Sequence, residues 1–529
     1  MNYLTENLLT ILILLPSFGA LGAIAHALLQ PSQKETHYRL IALVFTTLNF
    51  LVSLLLLGGS GIEANGFSFV RNVPWIAAIG TNYHVGVDGL SVWLVILTTF
   101  IMPIAILSSW NAVEKRHAAF YVFLLLLESA MIGVFCSLDL LVFYLFFEAS
   151  LVPMFFLIGI WGGEKRIYAA TKFFIYTAVG SLLMLVGIIA LYYLHLTATG
   201  AGTFDYVVLL NSFSTGALRL DNQIVAPLIF FSFALAFAIK VPMFPLHTWL
   251  PDAHTEAPTA GSVILAAVML KMGTYGILRF CFGLFPEVAR DTRVAGLFIA
   301  LAVIGIIYGA LVAMVQPDIK RLVAYSSVSH MGFVILGMFS FNELGMQGAL
   351  YQMLNHGVST GALFLLVGMI YERRHTRAIT EYGGIANVMP IYATFFVITT
   401  MSSIGLPFLN GFVGEFLTML GMWQSNAVSW HWGATMAAGT GVILAAVYLL
   451  WMLQRVLFGK ITNEKNRHLI DLNWREIGLM APLLFLMVFM GVYPAPFLER
   501  SKASIVAVEK RLENRAAGGA IAEVNETQK

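Results

Sequence analysis

The chain has 529 residues, 59% of them hydrophobic and 11% charged, with a formal net charge of +2 and a mean hydropathy of +0.82. No soluble domain has that balance, so the chain reads as a polytopic membrane protein. Its two cysteines, Cys136 and Cys281, lie in or beside apolar segments, which excludes a disulfide framework and a cysteine-based metal site.

At about 20 apolar residues per crossing, fourteen spans are predicted: 7–28, 38–58, 89–109, 118–136, 138–160, 168–195, 224–250 (broken), 258–280, 294–315, 323–340, 346–370, 388–424 (broken), 434–457 and 477–496. The first begins without a basic flank or a small-residue cleavage site and reads as a retained helix, not a signal peptide. Hydrophilic stretches remain near 59–90 and 196–223 and in the tail from about 499. With the N-terminus outside, the inside loops hold sixteen Lys and Arg, among them Lys34, Arg39, Lys115, Lys165, Lys320 and Arg373. The outside loops hold five, Arg71, Arg219, Arg279, Arg290 and Arg293. That asymmetry places both termini outside.

An internal repeat runs through the middle of the chain. Val263–Val268 recurs as Val442–Val447 at an offset of 179, and Gly180–Gly187 matches Gly361–Gly368 at an offset of 181. Two matches at nearly one offset suggest that spans four to eight are duplicated as spans nine to thirteen. Five spans is an odd number, so the second copy is inverted, the plan of ion-coupled transport proteins. The expected division is a three-helix segment at 1–117, a first repeat at 118–280, an inverted second repeat at 294–458, a last span at 477–496 and a polar tail at 497–529. The fold class is an all-α membrane protein with discontinuous seventh and twelfth helices.

The seventh span carries Lys240 directly before Pro242 and Pro245, which release backbone carbonyls and break the helix. The twelfth is interrupted at Gly405, Pro407 and Gly411, shortly before Glu415. Interrupted helices at corresponding places in two repeats point to an ion site.

Ionisable residues inside apolar spans are functional candidates by default. They are Glu148 in span five, Lys172 in six, Lys240 in seven, Lys271 in eight, His330 in ten, His356 in eleven and Glu415 in twelve. Glu148 and Lys240 read either as a structural ion pair or as a proton switch. The structural reading is weak because desolvation can cancel the attraction of a buried pair, whereas making and breaking the same pair drives proton uptake and release at the lysine. Lys271 has no carboxylate in its own helix and suits a relay, the alternative being a side chain that snorkels to an interface. His330 and His356 suit proton transfer or helix–helix hydrogen bonding. Lys172 either tunes Glu148 or reaches to an interface. Glu415 either ends the relay or caps the second half-helix. Together these residues predict a hydrated polar line from Glu148 to Glu415 near the midplane. His247 and His254, seven apart, supply too few ligands for a metal and read as loop residues. No nucleotide-binding loop or dinucleotide fingerprint is present, so the chain has no energy source of its own and is driven by ion exchange or by partner subunits.

The stretches around Glu148, Lys240–His254, Lys271 and Gly405–Glu415, with the fourteen-span plan, resemble the antiporter-like membrane subunits of respiratory NADH:quinone oxidoreductase, complex I. Those subunits are themselves similar to the large subunits of multisubunit sodium/proton antiporters, which is the alternative assignment. A glutamate at 415, where the sister L and N branches look lysine-like, marks the chain-4, M-type branch. The resemblance covers nearly the whole chain. It implies a proton-translocating membrane-arm module in a bacterial inner membrane, with Glu148 pairing Lys240, Lys271 as central relay and Glu415 as terminal residue. His330 and His356 then serve as connectors. It implies no cofactor in this chain, with NADH, FMN, iron–sulfur clusters and quinone in partner subunits. L-like and N-like subunits are expected on its two flanks. No extra span or long amphipathic segment is expected after the fourteenth span to supply the lateral helix of the L branch.

Overall fold

A computed structural model describes residues 3–29, 35–58, 66–220 and 224–526, with backbone alone for 3–5 and 514–526. Lys34 of the loop-charge count and residues 527–529 of the tail lie outside the described residues. In lipid every backbone N–H and C=O has to find a partner within its own segment, so uninterrupted apolar sequence folds as helix.

In chain order the helices begin with α1 (Tyr3–Leu29) and α2 (Thr36–Ser53), then a hairpin of β1 (Ser68–Ile76) and β2 (Thr81–Val87), then α3 (Val92–Ser108) and α4 (His117–Cys136). Next come α5 (Leu140–Ala149) and α6 (Leu151–Trp161), two halves of one span, followed by α7 (Arg166–Thr199) and the short α8 (Tyr206–Thr215). The broken seventh span is α9 (Val225–Lys240) and α10 (Trp249–Glu256). The eighth is α11 (Thr259–Ile264), α12 (Leu270–Gly276) and α13 (Phe282–Leu284), joined by wide π turns at 265–269 and 277–281. After α14 (Pro286–Arg290) come α15 (Thr292–Met314), α16 (Ile319–Met338) and α17 (Glu343–Arg374). The broken twelfth span is α18 (Pro390–Ile404) and α19 (Asn410–Trp423), and α20 (His431–Leu457), α21 (Trp474–Val492) and α22 (Ala495–Glu526) close the chain.

Among the described residues ten helices are long and apolar enough to cross a membrane, and α3, α9 and α18 are shorter apolar helices. The segment Thr259–Leu284 and α17 are buried on every side, whereas only 28% of the α2 window and 39% of the α7 window are buried. The spans carrying Lys271 and His356 are therefore the centre of the bundle, and α2 and α7 turn apolar faces outward.

The two halves of the chain share a local device. Asp139 caps α5 by accepting from Leu141 and Val142 N–H, and Asp318 caps α16 by accepting from Lys320 and Arg321 N–H. Each aspartate also joins a short bridge to a distant strand-like residue, Asp139 to Asp205 and Asp318 to Ala378. Asp139 and Asp318 are 179 positions apart, the offset of the repeated hexapeptide.

The breaks follow from the sequence. Pro242 and Pro245 have no N–H to donate: Met243 N–H turns to the Ala238 carbonyl that Pro242 leaves free, and the Trp249 indole donates to the Ile239 carbonyl that Met243 then leaves, both at 2.8 Å. At the second break Gly405 takes φ +83°, a conformation that favours glycine, and the chain turns back so that α19 starts beside the end of α18.

The fold is the helical membrane fold expected, with one addition: β1 and β2 pair antiparallel, with Arg71 opposite Val85 and Ile76 opposite Thr81. Two expectations are corrected. Arg279 is not a loop residue but lies in the helical eighth span, 4% exposed and bonded through Nη2 to Asp88 Oδ1 at 2.5 Å. The tail is not without a long amphipathic segment. α22 buries Ile505, Val508 and Leu512 on one face, the i, i+3, i+7 spacing of a helix lying on a surface. Arg500 holds its start to the Leu56 and Leu57 carbonyls, and Lys502 pairs with Glu343. The hairpin, α8 and α22 share one end of the bundle, called the hairpin face below.

Candidate functional site

Lys240 ends α9 and is 1% exposed. Glu148 is the penultimate residue of α5, half-buried, and faces Ser181 and Lys240. The expected ion pair is not closed. Among the described residues Lys240 Nζ and Glu148 Oε1 have no hydrogen-bond partner, and no carboxylate comes within 4.0 Å of Nζ. The reason is aromatic: the ammonium lies 5.0 Å from the ring centre of Phe147 and 5.6 Å from that of Phe173. Ring faces are negative and partly replace lost water around a cation.

Lys172 does not bond Glu148. Its Nζ pairs with Asp252 Oδ2 at 2.7 Å, and Arg321 reaches the other oxygen of Asp252 at 3.4 Å. Asp252 therefore ties α7 and α16 to the second half of the broken helix.

Lys271 is fully buried. Its Nζ donates to the Ala266 carbonyl at 2.5 Å, within the wide turn at 265–269, and meets His356 Nδ1 at 2.7 Å. The snorkelling alternative fails. When Lys271 is protonated its Nζ can only donate, so Nδ1 of His356 then accepts and its Nε2 carries the proton. The His356 and His330 ring centres are 6.1 Å apart. His330 Nδ1 then meets Glu415 Oε1 at 2.9 Å, and Gln352 Nε2 donates to the same oxygen at 3.1 Å. Glu415 is the sixth residue of α19 and bonds these side chains, so the capping alternative fails too.

Between the two imidazoles lies a small space lined by His330, Gln352, Asn355, His356, Ser359 and Ser402. Four buried atoms around it have no partner among the described residues: His330 Nε2, His356 Nε2, Asn355 Oδ1 and Asn410 Nδ2. That is the mixture of donors and acceptors a bound water takes.

Several residues of this arrangement escaped the sequence reading. Gln352, Asn355 and Ser359 share one face of α17 with His356, a polar stripe at i, i+3, i+4, i+7 that was visible in the sequence. His254 is no loop residue. It sits in α10, fully buried, with its ring stacked 4.5 Å from Phe364 and both nitrogens without a partner among the described residues. The charges that act on it come from Lys320 on one side and Lys271 on the other. Lys320 donates to the Ala257 carbonyl at the end opposite the hairpin face, beside Glu256 and Arg377. His247 packs between Phe244 and Tyr308. Among the described residues no group of three or more His, Cys, Asp or Glu could hold a metal.

The chain is similar to known proteins along almost all of its length. Residues 137–445 match the family model described as NADH:quinone oxidoreductase/Mrp antiporter, TM, and residues 35–134 match NADH-ubiquinone oxidoreductase chain 4, amino terminus. The NADH-quinone oxidoreductase subunit M of Rhodobacter capsulatus is 48% identical over 93% of this chain and 94% of its own. The NADH-ubiquinone oxidoreductase chain 4 of Marchantia polymorpha is 42% identical over 93% of this chain and 95% of its own. A chain of the structure of respiratory complex I from Thermus thermophilus with bound NADH superposes with a TM-score of 0.82 at 32% identity, covering 95% of this chain and 99% of that one. A chain of the Mrp complex from Dietzia shares the fold, with a TM-score of 0.77 at 23% identity over 94% of this chain and 52% of that one.

Proposed function

The chain belongs to the NADH:quinone oxidoreductase/Mrp antiporter membrane family, in its subunit M branch, and from that premise we propose the route of the proton it translocates. It is a multi-span, proton-translocating membrane subunit of respiratory complex I and assembles with other subunits of that enzyme. The proposed route is the polar line. Lys271 passes a proton to His356 Nδ1, His356 releases the proton on Nε2 across the small space to His330 Nε2, and His330 releases the proton on Nδ1 to Glu415. Each imidazole takes a proton on one nitrogen and gives one from the other, and a water in the space between the rings completes the contact. Glu148 and Lys240 form the switch at the head of the line: closing the pair draws the ammonium from the rings of Phe147 and Phe173 to the carboxylate and holds its proton there, and opening it returns the ammonium to the rings, from where the proton passes on. Lys172 acts through Asp252 on the broken helix. Uptake runs from the Glu256, Lys320 and Arg377 cluster through His254.

The observation that carries this reading is the connected set Lys271, His356, His330 and Glu415, all at most 4% exposed. In the same reading the chain makes fourteen crossings in two inverted five-helix repeats, with both termini and the hairpin face outside a bacterial inner membrane. L-like and N-like subunits cover its flanks, and the redox groups belong to other subunits. The second reading, a subunit of a multisubunit sodium/proton antiporter, rests on shared fold alone. The test is Lys271→Ala in the assembled enzyme in native vesicles. Proton uptake driven by NADH oxidation is lost, while NADH oxidation with an artificial acceptor at the peripheral arm is kept. Wild-type pumping by that variant overturns the route.

A further inference from the structure

A second buried acid lies outside this line. Glu128 is the twelfth residue of the twenty in α4 and is fully buried. Its Oε1 accepts from Asn49 Nδ2 of α2 at 2.8 Å, and Asn49 is fully buried as well. Two atoms of this pair are left over, Glu128 Oε2 and Asn49 Oδ1, neither with a partner among the described residues. Both are acceptors when the carboxyl is ionised, so the pair lacks one donor. A single proton on Oε2 supplies it.

Among the described residues no cation is paired with the carboxylate. α4 packs against α1, α2, α3, α5, α6, α12 and β2, and α3 and α6 carry no titratable side chain. Glu6 and His26 lie near the ends of α1, and His37, Tyr38 and Arg39 in the first turn of α2. Glu148 faces Lys240, with Tyr144 beside it, and Lys271 is held by His356. Tyr275 donates to the Phe135 carbonyl, Tyr83 to Thr10, and His84 bonds Asp205. Among the described residues Asn49 is the one side chain hydrogen-bonded to Glu128. An isolated ionised carboxylate in such a place costs far more than a neutral one, and the group neutralises instead. Asn49 also stands in a polar stripe on α2, Thr46, Asn49 and Ser53, all fully buried, and Ser53 bonds Thr99 of α3 at 2.7 Å. One turn beyond Ser53, the Leu56 carbonyl is capped by Arg500 at the hairpin face.

We propose that Glu128 and Asn49 form a proton-binding site separate from the Glu148-to-Glu415 line, in which Glu128 holds one proton at neutral pH and exchanges it towards the hairpin face through Ser53 and Thr99. On release the carboxyl O–H breaks and an O–H bond forms on the acceptor oxygen; along Ser53 and Thr99 each hydroxyl takes one proton and gives up another, and the last proton forms its bond to water at that face.

The test is infrared difference spectroscopy of the whole enzyme in lipid vesicles at neutral pH. The wild type shows the carbonyl stretch of one protonated carboxylic acid that Glu128→Gln removes, and the band moves to lower frequency in D2O as the acid exchanges. Asn49→Leu keeps the band and raises its frequency, because the carbonyl loses its hydrogen-bond donor. Glu128→Asp and Asn49→Leu serve if Glu128→Gln does not assemble, since each shifts the same band. A spectrum in which neither variant changes an acid carbonyl band overturns the site, and a band that D2O leaves in place overturns the exchange path.

Discussion

Glu148 and Lys240 face each other across α5 and α9 without closing an ion pair, and the ammonium of Lys240 rests instead between the rings of Phe147 and Phe173. In the proposed switch the open pair beside aromatic faces is one position, and the closed carboxylate contact is the other. Glu148→Gln removes the closed position. NADH-driven proton uptake in vesicles then falls on the order of 100-fold, the scale of losing a positioned proton-handling group, while the variant assembles normally. Glu148→Asp, which keeps the charge on a shorter arm, retains part of the activity.

Gln352 predicts a split between positioning and charge. Its amide donates to the Glu415 oxygen that also meets His330, and its own oxygen accepts from Asn355. Gln352→Leu removes a hydrogen bond to an ionisable group in a buried site, worth about 1.5–3 kcal/mol. Pumping drops by about tenfold or more at 1.4 kcal/mol per factor of ten, and the pH profile of pumping moves. Gln352→Asn leaves the chemistry but shortens the reach, and recovers less than half of the loss. A variant that only loosened packing would leave the pH profile unmoved.

Asp88 gives a pH prediction at the hairpin face. Its side chain is 6% exposed, and burial opposes its charge, but the Arg279 guanidinium and the N–H groups of Ser91 and Leu90 hold its carboxyl below the usual range. A folded-state value below the unfolded one contributes stability above the unfolded value, and that contribution is lost as pH falls through the folded one. The unfolded value is about 3.9, so the thermal stability of the assembled enzyme gains nothing from this pair at strongly acid pH and all of it at pH 6. Asp88→Asn leaves Arg279 buried without its partner and costs about 3–5 kcal/mol at neutral pH, with the acid-side dependence reduced. Equal melting temperatures for variant and wild type at pH 7 would refute the assignment.

The residues most legible in the sequence were those whose cost is visible in one dimension. Lys240, Lys271 and Glu415 stand out because a charge in an apolar run is expensive wherever it ends up, and Pro242 and Gly405 mark breaks through backbone chemistry alone. What sequence could not supply was pairing across distance: Lys271 meets His356 from 85 positions away, and Lys172 meets Asp252 from 80. Glu128 carried the same signal as Glu148 and escaped the inventory all the same. The hairpin was hidden because its first strand mixes Arg71, Asn72 and Pro74 into the apolar pattern, and α22 because Ile505, Val508 and Leu512, which face the bundle, are interleaved with Lys502, Glu509, Lys510 and Arg511.

Gly411 tests whether the 2.9 Å contact between His330 and Glu415 is needed as it stands. A Cβ at 411 would collide with the Ser402 carbonyl at the end of α18, so the start of α19 has to move away. Glu415 lies one turn further along the same face of α19 and moves with it. A shift that carries Oε1 beyond about 3.5 Å from His330 ends the hydrogen bond, although no proton-carrying group has been removed. Gly411→Ala is therefore expected to cost about 1–3 kcal/mol of stability through overpacking and to lower pumping by roughly 100-fold through displacement of Glu415. Gly433→Ala is the control: on α20 a Cβ meets nothing within 4 Å, and pumping stays at the wild-type rate. If Gly411→Ala assembles and pumps as fast as that control, proton transfer to Glu415 does not depend on the direct imidazole contact and passes through water alone.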